Sequence, residues 1–181
     1  QNRNLVNLQY RIHHLSKNNL LPDVYVLVVS YSISKKNIEL AQNKYTRNNL
    51  KFYNCSIENF RKDTYEIAVA NMVLMDVVNI NECIKAISNL VTKGGNFIFS
   101  ITHPYFWPKY WKYENESWYN YSQELIIESE FKITNQTTSY KTTHIHRPLS
   151  MYTKLLKRLN FEIDSILEVP NDEKSNYPRF L

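Results

Sequence analysis

The sequence predicts an α/β fold: a mostly parallel sheet with flanking helices, then an inserted aromatic lid and hairpin. Two observations carry this. Residues 24–102 alternate strand-like and helix-like patterns three times, which calls for parallel strands joined by right-handed crossovers. From Pro104 the texture changes abruptly to a block dense in aromatic side chains. At 181 residues the chain fits one domain with a substantial core. Its expected parts are an N-terminal helix (1–22), an α/β core (24–103), a lid and hairpin insertion (104–146), and a C-terminal helix with strands (147–181).

The elements follow in order. Leu5, Leu8, Ile12 and Leu15 recur at helical spacing, giving an amphipathic helix over 4–15 that Pro22 ends. "VYVLVV" (24–29) is a continuous β-favouring run, read as a buried strand. Ser34 stands as N-cap of a helix whose Ile38 and Ala41 share a face. "LKFYNCS" (50–56) is a second strand, and "YEIAVANMVLMDV" (65–77) begins as a third, the most deeply buried. Asn81 caps a helix with Ile84, Ile87 and Val91 on one side. "TKGG" is a turn before a fourth strand, "NFIFSIT" (96–102). Two strand-like pieces, 124–134 and 138–146, suggest a hairpin. Residues 147–160 form a helix with Pro148 in its first turn. "FEIDSILEV" (161–169) alternates as a strand, and "NYPRFL" ends the chain with a short final one.

Composition narrows the class. Apolar residues are 43% and charged residues 22%, typical of a soluble globular protein. The net charge of +5 is spread thinly, with no run of five basic residues, which makes nucleic acid an unlikely partner. Cys55 and Cys83 lack metal-ligand spacing and read as buried thiols of a reducing cytoplasm. The first residues lack the apolar core of a secretory signal, and no apolar run suffices to cross a bilayer. The expectation is a cytoplasmic protein without a membrane partner; its oligomeric state is open.

"YEIAVANMVLMDVVNINECIKAISNLVTKGGNFIFSITHPYF" (65–106), "HIHRPLSMYTKLLKRLNFEIDSILE" (144–168) and "YPRFL" (177–181) together resemble the class I S-adenosylmethionine-dependent methyltransferases. The likeness is to the small-molecule branch with a lid before the last helix, and it covers residues 30–181. It implies a Rossmann-like sheet, S-adenosylmethionine as cofactor, and methyl transfer to a small-molecule or peptide-like acceptor. "SYSISKKNIELAQ" (30–42) resembles the family's second strand and the helix after it, with Ser32 where an acidic residue would hold the ribose. The first strand, its glycine-rich turn and the next helix should precede this. Such a layout takes about twenty residues between turn and acid. Only 24–30 remain, and the two glycines, Gly94 and Gly95, lie elsewhere. The N-terminal part is therefore truncated or shortened. The alternative function is a catalytically degenerate methyltransferase-like binding or scaffold domain without the glycine-rich loop.

Methyl transfer from a sulfonium is an in-line displacement, so the protein positions donor and acceptor and, for a hydroxyl or amine, removes a proton. Sheets of this kind bind ligands at the carboxyl ends of their strands. By resemblance Ser32, Ser56, Ile57 and Glu58 contact the cofactor; a plain strand end or a polar turn would account for them equally. Ala70, Asn71 and Met72 end an apolar strand in an amide, a ligand-edge pattern. His103, just after the fourth strand, is a candidate base or a lid anchor. His146 is a second candidate base, with His144 and Arg147 beside it on the acceptor side; the two histidines alone make a weak metal signal, and no metal is expected. Tyr105, Phe106, Trp107, Tyr110, Trp111 and Trp118 would wall a pocket for a flat or apolar acceptor. Stacking on nucleobases with Lys109 and Lys112, or mere lid packing, are the competing readings.

Overall fold

The structure, a computed structural model, describes residues 26–29, 35–45, 50–60, 63–130, 141–170 and 177–181. The helix expected over 4–15, Ser32 and the Ser34 cap lie outside the described residues. The chain divides into two compact units, Gln1–Asn71 with Ala86–Ile98, and Met72–Lys85 with Phe99–Leu181.

In the first unit, β1 (Val26–Val29) pairs in parallel with β2 (Leu50–Tyr53), in register from Val26 opposite Leu50 to Val29 opposite Tyr53. Parallel neighbours need a crossover, and α1 (Lys35–Lys44) supplies it. Its buried face is Ile38 and Ala41, the pair expected from their spacing. After β2 the chain makes a short 3₁₀ turn, Ile57–Asn59, that buries Ile57 and Phe60. Phe60 meets Tyr53 edge-on with ring centroids 5.1 Å apart.

β3 (Tyr65–Asn71) pairs with β4 (Val91–Ser100), and α2 (Ile80–Leu90) runs between them. β3 is not the most deeply buried strand that its apolar run predicts. Ile67 is 53% and Val69 56% exposed. Among the described residues β3 has β4 as its one partner strand, so an apolar run alone did not produce two covered faces. β4 also starts earlier than expected, passing through "TKGG". The turn survives as one residue, Gly94 at φ +81°, a backbone angle that glycine takes without strain. Gly95 fills a different need: a Cβ there would sit 2.6 Å from the Glu66 carbonyl oxygen.

The cap of α2 is displaced by two residues from its expected place. Asn79, not Asn81, accepts the Glu82 amide through Oδ1 at 3.3 Å. Asn81 lies inside the helix and takes a hydrogen bond from Arg158 at 2.7 Å.

The second unit holds the hairpin β5 (Leu125–Glu130) and β6 (Lys141–His146), antiparallel from Leu125 opposite His146 to Glu130 opposite Lys141. A single helical turn, α3 (Trp107–Tyr110), opens the lid. α4 (Leu149–Arg158) follows Pro148 and buries Tyr152, Leu155 and Leu156. It ends as helices commonly do, with Asn160 in the left-handed region at φ 61°. The strand expected over 161–169 is not formed. Of that stretch only Val169 is extended, in β7 (Val169–Pro170), which pairs with β8 (Pro178–Phe180). Ile163, Ile166 and Leu167 are exposed, so the alternating pattern has no surface to pack on. The chain end is paired a second time: Ile101 and Leu181 exchange backbone hydrogen bonds at 2.9 and 3.0 Å, and the His103 amide donates to the Arg179 carbonyl at 2.9 Å.

Candidate active site

The carboxyl ends of β2 and β3 supply the first group. Ser56 opens the 3₁₀ turn in an extended conformation and makes no capping bond with its hydroxyl. Ile57 is buried, Ser56 and Glu58 are half-buried, and Asn59 is exposed. At the end of β3, Ala70 is buried and Asn71 half-buried. Ser56 and Glu58 thus stand after β2 and Asn71 at the end of β3, a hydroxyl, a carboxylate and an amide at two strand ends. Ser32 lies outside the described residues.

Met72 follows directly, and its backbone is unusual. It stands at φ 55°, a left-handed conformation disfavoured for a side chain of this size. Its amide is held by the Ser100 carbonyl at 2.9 Å and by Ser100 Oγ at 3.2 Å. Local strain held in place at a strand's carboxyl end is a mark of a functional position.

His103 begins the lid. Its Nδ1 accepts the amides of Tyr105 and Phe106 at 3.3 and 3.4 Å. That contact keeps the proton of the neutral ring on Nε2, which donates to Glu168 Oε1 at 2.8 Å. The ring is thus oriented by a carboxylate on one nitrogen, while the lone pair of the other is met by two backbone amides across long contacts. The same bonds anchor the lid's first turn.

Other candidates have different surroundings. Arg147 is 1% exposed and clamps the chain around it. Its Nε donates to Glu124, Nη1 to the Leu74 carbonyl at 3.1 Å, and Nη2 to those of Val77 and Val78 at 2.6 and 3.1 Å. Four of the five donors of this guanidinium are thus matched within the fold, which makes Arg147 a clamp between chain segments. His146 is also 1% exposed; its Nε2 donates to the Tyr121 carbonyl at 3.0 Å, and Tyr119 and Tyr121 meet its ring edge-on. His144 lies against Trp107 and Trp111, with centroids 5.9 and 5.6 Å away. Burial, and then the charges of His146 and Arg147, push its pKa down to about 3. Burial also lowers that of His146. Both rings are neutral near pH 7.

The aromatic block does not form one wall. Trp107 and Trp111 pack on each other and on His144, Trp118 stacks on Tyr113, and Tyr105 is exposed beside Phe106 and Tyr121. Of the six aromatic residues expected to wall a pocket, Phe106, Trp107 and Tyr110 line a cleft of about 270 Å³. Its other walls are Lys109, Tyr177, Pro178 and Arg179. Sequence reading missed Tyr177 and Arg179, which enter through the pairing of the chain end with 101–103. The one local signal was a cation inside "YPRFL".

A sequence profile of the family described as a methyltransferase domain matches residues 13–147. Among curated proteins none matches. The fold resembles a protein from Listeria monocytogenes assigned as an S-adenosylmethionine-dependent methyltransferase, at 21% identity and a TM-score of 0.66, covering 86% of this chain and 76% of that one. An S-adenosylmethionine-dependent methyltransferase from Clostridium acetobutylicum matches at 14% identity and a TM-score of 0.60, over 92% and 76% of the two chains. The glycopeptide N-methyltransferase MtfA, solved with S-adenosylmethionine, matches at 11% identity and a TM-score of 0.57, over 85% and 68%. The α/β architecture is the Rossmann-like one of these neighbours. With three quarters of its length inside the profile, the chain belongs to the methyltransferase-domain family.

Proposed function

We propose that the chain binds S-adenosylmethionine at Ser56–Glu58 and Ala70–Met72 and passes its methyl group to a small-molecule acceptor. Bound there, the cofactor supplies an electrophilic methyl on a sulfonium. Ser56 and Glu58 offer a hydroxyl and a carboxylate to an adenosine, and Asn71 an amide. The observation that carries this placement is Met72, held in a left-handed conformation by Ser100 where β3 ends. His103 takes the part of base, with Glu168 fixing its tautomer in the manner of a base and its orienter. That one neighbour is a glycopeptide N-methyltransferase supports a small-molecule or peptide-like acceptor here. Neither Cys55 nor Cys83 forms a disulfide, which suits the cytoplasm. Among the described residues no helix is long and apolar enough to cross a membrane.

Calorimetric titration with S-adenosylhomocysteine tests the cofactor site. Saturable binding is expected, weakened by Asn71→Ala; folded protein that gives no heat sinks the reading. His103→Ala is expected to leave that affinity within about twofold and to lower turnover about a hundredfold, the usual scale of acid–base assistance. An unchanged rate removes His103 as base.

A further inference from the structure

The cleft beside α3 combines features that packing alone does not require. Four rings, those of Phe106, Trp107, Tyr110 and Tyr177, face a space of about 270 Å³. Two cations stand among them. The Arg179 guanidinium carbon lies 4.0 Å from the centroid of Tyr110, and Lys109 Nζ 4.2 Å from that of Tyr177. Stacking engages the face of a guanidinium, whereas carboxylates are held at its edge, so the two contacts are compatible.

We propose that this cleft holds a planar acid, a single aromatic ring bearing a carboxylate, as the anchoring end of the methyl acceptor. Its role as acceptor pocket rests on the methyl-transfer reading above; the binding itself does not. Size selects one ring, since about 270 Å³ falls just under the ~300–1,000 Å³ usual for drug-sized ligands. The walls select a flat apolar body, which aromatic side chains grip at offset or edge contacts. The charge selects the anion, with Arg179 for a planar fork and Lys109 as a mobile point charge. The cleft also adjoins the residue proposed as base. His103 packs on its wall residue Phe106 with centroids 4.8 Å apart, and the His103 amide is bonded to the Arg179 carbonyl.

The test titrates the full chain, without cofactor, with phenylacetate and with its neutral counterpart phenylacetamide, following tryptophan emission and heat. Phenylacetate is expected to bind at least tenfold more tightly than the amide. Arg179→Gln is expected to abolish that preference while leaving the amide unaffected, and Lys109→Gln to reduce it about threefold. Equal affinity for acid and amide, or no saturable binding of either, overturns the proposal. If Arg179→Gln fails to fold by circular dichroism, the exposed Lys109 variant and the wild-type ratio decide alone. A parallel S-adenosylhomocysteine titration separates the two readings. Cofactor binding without acid preference sinks the cleft proposal only. Acid preference without cofactor binding sinks methyl transfer and leaves the cleft as an acid-binding site.

Discussion

A guanidinium at 1% exposure survives only if its donors are matched, and Arg147 meets that condition with Glu124 and three carbonyls of the 74–78 segment. Removing it strands acceptors and a carboxylate together, so Arg147→Met is expected to cost about 3–5 kcal/mol in urea unfolding. A loss below about 1 kcal/mol would show the clamp to be incidental. His144 carries the opposite lesson, a titratable ring buried neutral. Its folded pKa of about 3 lies below the ordinary 6.5, so between those values the unfolded chain binds the extra proton. Stability is therefore indifferent to this group above pH 6.5 and declines as pH falls toward 3, by at most about 1.4 kcal/mol per pH unit. His144→Phe is expected to flatten that decline. An identical acid profile for the variant would assign it to other groups.

At the scale of elements, the start of α2 separates two asparagines that sequence alone leaves equivalent. Asn79 accepts the Glu82 amide and Asn81 pairs with Arg158 on the surface. Loss of an N-cap costs about 1 kcal/mol, whereas an exposed side-chain pair contributes less than about half of that. Asn79→Ala is thus expected to lower the unfolding free energy by about 1 kcal/mol and Asn81→Ala by clearly less. The reverse order would restore Asn81 as the cap. β3 and β4 show the same dependence on neighbours. Tyr65–Asn71 was legible as a strand from its composition, but its burial was not, because burial counts partners and a single strand's sequence does not name them. The segment 161–168 failed for that reason too: alternation describes a half-buried strand only when something lies on its apolar side.

For the whole molecule, the alternation of strand and helix and the β5–β6 hairpin could be read from the change of period. The cleft could not, since Arg179 reaches Tyr110 only through the pairing of 178–181 with 101–103, a contact between distant stretches of chain. The missing glycine turn has a counterpart in the sheet. In the doubly wound order the first strand lies between the second and the fourth. By the resemblance, β1 and β2 are the second and third strands and β3 and β4 the fourth and fifth. Among the described residues they form two separate pairs, β1 with β2 and β3 with β4. The proposed cofactor contacts sit at the end of each pair, Ser56 and Glu58 after β2 and Asn71 at the end of β3. A nucleoside held by both would tie together two strand pairs that share no hydrogen-bonded ladder, and its binding must then appear as stability. At one hundred times its dissociation constant, a ligand specific to the folded chain adds about 2.7 kcal/mol. For a chain of this length that is a rise of roughly 5–10 °C in the unfolding midpoint. Ser56→Ala combined with Asn71→Ala should reduce the rise at fixed S-adenosylhomocysteine concentration by more than either change alone. A rise that survives the double variant intact would place the cofactor elsewhere on the molecule, and the two strand ends would lose their assignment together.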